Sequence, residues 1–319
     1  MNTSTLNPKR KSLKRLGNFV YNLVRLIIVC GITYYILYPI LEKLLGSFMT
    51  IENLYDKSVG IIPRDWTLEN IKIVIKETHY WSSLLNTIYL SAVAALTQAI
   101  SCTLVGYGFA RFKFPFKNLL FGAVIIVLVV PVDTIIIPMY LNYSYFDIFG
   151  IFKLINGEGI NLNNSVWPFL INGLTCMGLK NGLYIYLMRQ FYRGTPKELE
   201  EAAKIDGAGY AKTFFSVMLP LSRPILFVVG ILSFVWQWTD SFYASWFYGG
   251  GGVLGVEMDG LTENIAVLRA LVGMDNADDR LAMMLRGIAT LLIAFPLIIL
   301  YAFTHKNLVG GIERSGIVG

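Results

Sequence analysis

The sequence predicts an all-α integral membrane protein with six transmembrane helices. Three observations carry that reading. Of 319 residues, 55% are hydrophobic and only 15% charged, whereas a soluble domain carries about 25% charged residues. Six apolar stretches fall at 19–41, 80–110, 118–141, 166–192, 225–247 and 287–304, each near the ~20 residues that cross a bilayer as a helix. Lysine and arginine also sort by membrane side.

The first stretch follows five basic residues, Lys9, Arg10, Lys11, Lys14 and Arg15, with no acid among residues 1–18. That pattern imitates a secretion signal, but the apolar run is long and leads into Tyr38-Pro39-Ile40 with no small-residue cleavage site. It reads as a retained span with a cytoplasmic N-terminus. Between 42 and 83 the chain is polar and aromatic. Trp66 is expected to start a helix, and Trp66, Tyr80 and Trp81 suit interfacial anchoring.

The second stretch is free of charge from Tyr80 to Ala110 and ends in Gly106-Tyr107-Gly108-Phe109-Ala110-Arg111-Phe112-Lys113. Alternating basic and aromatic residues there fit a tight inner turn at the headgroups. The third stretch contains Pro131, Asp133 and Pro138, and a Gly- and Asn-rich outer loop follows at 142–164. Pro168, Gly173, Gly178 and Gly182 make the fourth stretch broken or bent, with Lys180 inside it. The fifth contains Trp238-Thr239-Asp240. An outer loop at 248–286 opens with four glycines, and the sixth stretch and a short tail close the chain.

Charge tests this topology independently. The proposed inner segments, 1–18, 111–117, 189–223 and 305–319, hold 16 Lys/Arg and 5 Asp/Glu. The proposed outer segments hold 9 Lys/Arg and 14 Asp/Glu over a greater length. The bias follows the positive-inside rule and puts both termini in the cytoplasm. The resulting division is a tail at 1–18, a first helix and outer loop at 19–65, a core at 66–304 and a tail at 305–319.

Several function classes fall away. The formal charge of +6 has no basic recognition face with it, so no nucleic-acid partner is expected. Cys30, Cys102 and Cys176 lie in apolar stretches without a CxxC pair and read as buried thiols. His79 and His305 are far apart, and no metal or nucleophile constellation is present. No GxxxxGK[ST] occurs, and Gly249 to Gly252 lacks the lysine that would hold phosphate. The chain is not expected to be an enzyme, to bind a cofactor or to hydrolyse ATP.

The organising stretch lies at 195–224, between the fourth and fifth spans. Thr195 is a plausible N-cap, Pro196 suits the first helical position, and Glu198 completes a capping box. Glu198, Glu200 and Glu201 favour the positive end of the helix dipole. Leu199, Ala202 and Ala203 make a small apolar face. Gly207 and Gly209 allow a left-handed residue, so the helix should stop near Asp206. A second short helix would carry Phe214, Phe215 and Met218 before Pro220 and Pro224 break the backbone. On pattern alone this is an ordinary capped loop.

Its residues say more. Glu201-Ala202-Ala203, Asp206-Gly207-Ala208 and Leu219-Pro220-Leu221 closely resemble the EAA loop of permease subunits in ATP-binding-cassette (ABC) importers. The fuller stretch from Pro196 to Pro224 resembles the carbohydrate-uptake, maltose-type branch. Tyr107 to Arg111 is similar to that family's Tyr-Ala-Leu-Ala-Arg segment, with Gly108 and Phe109 departing, and the tail Lys306 to Gly311 resembles its C-terminus before diverging at Glu313.

The resemblance implies a type I ABC importer permease in a prokaryotic cell membrane, multi-pass, working by alternating access. Glu198, Glu201, Ala202, Ala203, Asp206, Gly207, Ala208 and Pro220 would form the coupling helix that seats on an ATPase subunit. The implied partners are a second, different permease subunit, two ATPase subunits that hold ATP and Mg, an external solute-binding protein, and membrane lipid. Gly250, Gly251, Glu257 and Asp259 would contact the binding protein, unless their loop is a passive connector.

Lys180, Trp238 and Asp240 are pathway candidates. Trp238-Thr239-Asp240 resembles the family's Trp-Asn-Asp/Glu position, and an ionisable group in a span is costly enough to suggest either transport or pairing. A buried Asp240–Lys180 ion pair that only fixes packing stands beside sugar contact. Two other functions remain open. One is the same importer for a non-sugar solute. The other is a self-sufficient ion-coupled carrier, supported by Asp133, Lys180 and Asp240 and weakened by the lack of an internal repeat.

Overall fold

The computed structural model describes residues 8–249, 252–263 and 279–316. Among these the chain is helical, with no strands beyond two isolated bridges, Met49 to Trp66 and Phe146 to Ile160. It divides into two compact units, Met1–Lys72 with Asn276–Leu291, and Ile73–Asp275 with Leu292–Gly319.

In the first unit, α1 (Pro8–Gly46) is a single helix around the expected first span. Its apolar residues Leu26, Ile27, Val29 and Ile36 are all more than half exposed. A helix apolar on all sides and unpacked against protein is suited to lipid. The chain then turns through α2 (Ile51–Tyr55), whose N-cap Thr50 accepts a hydrogen bond from the Asn53 amide at 3.3 Å. The next helix, α3 (Glu69–Glu77), starts later than expected, because Trp66 is extended in its bridge to Met49 and Thr67 accepts from the Glu69 amide. Buried Asn70 donates to the Met49 carbonyl at 2.7 Å and ties α3 to that turn.

The second unit is built on α4 (Tyr80–Arg111), 32 residues long and matching the expected span. Around it pack α8 (Trp167–Leu174), α9 (Asn181–Gly194) and α13 (Arg223–Trp238). Small residues permit the close approach that membrane helices use in place of hydrophobic drive. A Cβ on Gly106 would lie 2.6 Å from the Met188 Cβ, and one on Gly173 only 2.8 Å from the Thr97 Cβ. Buried polar groups pair between helices: Ser233 donates to Gln98 Oε1 at 2.7 Å, and Ser101 donates to the Gly173 carbonyl at 2.6 Å.

Three expected spans are not single helices. The third is α5 (Lys117–Val127) followed by α6 (Val132–Ser144), bent by 101° where Pro131 lacks an amide to continue the ladder. A short α7 (Ile151–Asn156) lies in the loop beyond. The fourth is α8 and α9, broken at 175–180 by left-handed Cys176 and Lys180, in line with its glycine and proline content. The fifth helix ends at Trp238 and resumes as α14 (Phe242–Phe247). The last helix, Asp279–Gly316, exceeds the expected sixth span at both ends.

Two buried clusters lie in the second unit. One joins Tyr107, Tyr184, Met188, Tyr192, Phe214 and Met218. The other joins Tyr143, Phe169, Tyr243 and Phe247. In the latter Tyr143 donates to Asn172 at 2.7 Å, and the Asn172 amide donates to Tyr243.

Candidate functional site

The stretch between α9 and α13 folds into α10 (Glu198–Ile205), α11 (Tyr210–Thr213), a π-helical turn Phe214–Met218 and α12 (Leu219–Leu221). The start differs from the expected capping box. Thr195 ends α9, its amide and hydroxyl donating to the Phe191 carbonyl at 3.1 and 3.0 Å. The residue before α10 is Lys197, with no side-chain cap. The end is as expected. Gly207 adopts φ +78°, its amide donates to Lys204 O at 3.0 Å, and the Ala208 amide donates to Ala203 O at 2.9 Å. This pair of bonds is a Schellman motif, which closes the last carbonyls of a helix.

The apolar face also differs. Ala203 is buried, but Leu199 and Ala202 are exposed, and the inward side is completed by Glu200. The cause lies at the end of α4. Arg111 Nε meets Glu200 Oε1 at 2.8 Å, the two side chains only 6% and 12% exposed. Arg111 Nη2 also donates to the Thr195 carbonyl at 2.6 Å. A buried guanidinium needs a counter-charge, and α10 is turned so that Glu200 provides it.

Around this pair Tyr107 packs edge-on to Tyr192 and Phe112, and against Phe214 at 4.9 Å between ring centroids. Tyr192 donates to Ser222 Oγ at 3.0 Å, where Tyr210–Leu221 bends by 74° into α13. The turn is therefore clamped to α4 and α9 on one side. Its other side presents Glu198, Glu201, Ala202, Asp206 and Gly207 to solvent, with Ile205 at 87% and Tyr210 at 65% exposure. Pro220 sits half-buried in α12. The exposed face of this seated turn is thus both apolar and acidic.

The pathway candidates are not brought together. Lys180 is exposed in the break of α8–α9, its Nζ 4.7 Å above the Trp236 ring. The Asp240 carboxylate accepts from the Tyr243 and Ala244 amides at 3.4 and 3.2 Å. It caps the start of α14, so the expected Asp240–Lys180 pair is absent among the described contacts. Trp238 is 2% exposed and donates to the Ile293 carbonyl at 3.1 Å, a packing anchor rather than an open wall. Asp133 lies exposed in the first turn of α6. All three ionisable residues thus stand at helix ends or joints, and none pairs with another among the described contacts.

Of the binding-protein candidates, Gly250 and Gly251 lie outside the described residues. Beyond them α15 (Leu254–Glu263) packs on α4, and the Leu254 amide donates to Thr87 Oγ1 at 2.8 Å. Half-buried Glu257 accepts from the Gly252 amide at 2.9 Å, while Asp259 is exposed. Residues 252–263 are therefore docked against α4.

Fold and site together define a helical membrane component with a turn seated against α4 and α9. The chain belongs to the family of binding-protein-dependent transport system inner membrane components, whose pattern matches residues 102–310. It is a transport component of an ABC importer, not an enzyme, and membership implies an ATPase and a solute-binding protein as partners. The melibiose/raffinose/stachyose import permease protein of Bacillus subtilis is 26% identical over 303 residues, covering 94% of this chain and 96% of that one. An arabinooligosaccharides transport system permease protein of Halalkalibacterium halodurans is 25% identical over 292 residues, covering 90% and 93%. The solved structure of a bacterial ABC transporter involved in import of the acidic polysaccharide alginate shares the fold, with a TM-score of 0.68, 19% identity and coverage of 95% and 99%.

Arg111 and Glu200 are what sequence reasoning missed. Arg111 reads as a headgroup anchor and Glu200 as a dipole charge, and neither reading pairs them. The available signal was spacing: Glu200 and Ala203 are three apart and share a helix face.

Proposed function

We propose that this chain is a transmembrane permease subunit of an ATP-driven importer for a sugar or oligosaccharide, and that the 198–221 turn carries motion between ATPase and membrane helices. The observation that carries the reading is the seated turn, anchored by Arg111–Glu200 and exposed at Glu201, Ile205 and Tyr210. ATP and Mg belong to the partner ATPase pair. The solute class is supported by relatives named for melibiose, raffinose, stachyose and arabinooligosaccharides.

The proposed topology has six spans and cytoplasmic termini in a prokaryotic cell membrane. Three helices are long and apolar enough to cross, the bent pair α5–α6 is a fourth span, and α13, beyond the 74° bend that ends the turn, is the fifth. The sixth is α8–α9, whose break of six residues is bridged by packing of both halves on α4. A second, different permease subunit is proposed to cover an apolar groove of about 890 Å³ along α4 and α13, where Ala92, Ala99 and Gly230 permit close helix approach.

The test is uptake into vesicles containing this chain with the products of its neighbouring genes. Oligosaccharide should accumulate only with ATP on the ATPase side and the loaded binding protein on the other. Accumulation driven by an ion gradient without ATP would instead establish a self-sufficient carrier.

A further inference from the structure

We propose that the facing ends of α5 and α9 bind the phosphate headgroup of an anionic phospholipid in the cytoplasmic leaflet. The choice of leaflet rests on the orientation proposed above; the binding does not.

Lys117 and Phe121 lie one turn apart on α5, and Arg189 and Arg193 one turn apart on α9, so each pair shares a helix face. The two faces meet. The Arg189 guanidinium carbon stands 3.8 Å from the centre of the Phe121 ring. Further along, a Cβ on Gly182 would lie 2.7 Å from the Val124 carbonyl oxygen. The helices run antiparallel in this register, which brings Lys117 and Arg193 beside Arg189, close enough for Lys117 to feel both guanidinium charges and Arg189 that of Arg193.

Nothing among the described residues neutralises the three cations. No carboxylate forms an ion pair with any of them. Lys117 donates to the Phe112 carbonyl at 2.8 Å, which leaves its charge in place. Arg189 Nε is buried with no hydrogen-bond partner. Three like charges gathered against an aromatic ring repel one another. An anion with several acceptor oxygens relieves the repulsion and meets the orphaned donor.

The surroundings select a lipid. The adjoining surface of α5 is apolar and open, with Leu119 72% and Leu120 49% exposed. Cations at the edge of such a surface lie at headgroup depth, and basic pockets between membrane helices take acidic lipid headgroups. An acidic protein surface would not call for the aliphatic side chains beside the charges.

The full-length chain can be placed in nanodiscs of phosphatidylcholine with a minority of phosphatidylglycerol, and retained lipid counted by native mass spectrometry. Phosphatidylglycerol should be held preferentially. Lys117→Gln and Arg193→Gln, both at helix ends, should each weaken retention about fivefold, and Arg189→Gln with Arg193→Gln about 30-fold. Unchanged elution on size exclusion identifies variants that fold. Wild-type retention by the folded double variant overturns the proposal. So does displacement of the lipid by millimolar inorganic phosphate, which would assign the site to a free anion. Loss of ATPase co-purification with lipid retention intact would assign the cations to a protein partner instead.

Discussion

Replacing Glu200 by alanine is expected to destabilise the chain by about 3–5 kcal/mol and to abolish ATPase docking, because it strands a buried guanidinium without its counter-charge. The Arg111 and Glu200 side chains are only 6% and 12% exposed, and their contact is 2.8 Å. Solvent screening cannot substitute for the partner there. Arg111→Met should cost as much, since it also leaves the Thr195 carbonyl without its donor. The double variant Arg111→Met with Glu200→Leu removes both charges and should recover much of the stability, as apolar replacements of buried pairs do. Docking need not recover with it, because the apolar pair no longer fixes the rotation of α10. Thermal unfolding of the purified chain measures the first effect, and co-purification of the ATPase subunit the second. Equal stability of wild type and Glu200→Ala would show that the pair contributes nothing.

Gly207→Pro is expected to leave the chain inserted but unable to transport. Gly207 adopts φ +78°, which proline's ring excludes, and its amide bonds to Lys204 O at 3.0 Å, a donor that proline lacks. The Schellman closure would open, at a local cost of about 3 kcal/mol or more. The turn from α10 into α11 would then point elsewhere. Gly207→Ala is the milder control. No atom lies within 4 Å of an added Cβ, so only the left-handed backbone conformation is penalised, by about 1–2 kcal/mol. Uptake should fall in the order glycine, alanine, proline while the amount of chain in the membrane stays constant. Normal uptake by Gly207→Pro would remove the turn from the transport cycle.

The architecture was legible where composition and local stereochemistry decide it. The charge-free run from Tyr80 could only be a long apolar helix, and α4 spans Tyr80–Arg111. Gly207 after a short amphipathic helix forecast the left-handed stop found there. The break in the fourth span followed from its glycines and proline. The bend at Pro131 and the early end of α13 at Trp238 were not foreseen, because apolar runs look continuous whether or not the backbone turns inside them. Long-range pairing was hidden altogether. Arg111 and Glu200 are 89 positions apart, and which carboxylate of Glu198, Glu200 and Glu201 turns inward depends on how α10 rotates against α4. Asp240 was misplaced for a related reason. In a helix it would be an unpaired charge in lipid, but in the joint after Trp238 it caps α14.

The measurement that reaches the central proposal most directly is a cross-link from Ile205, which is 87% exposed at the tip of α10. A cysteine at 205 carrying a short photoreactive group should link to the ATPase subunit in membranes that contain the whole transporter. The yield should drop when Glu201, on the same exposed face, is replaced by lysine. Because the ATPase is cytosolic, the same product fixes the side of the membrane on which the turn lies. A photoproduct with the solute-binding protein, or labelling of the 205 cysteine by an impermeant thiol reagent added to intact cells, would contradict both the role of the turn and the orientation of the chain.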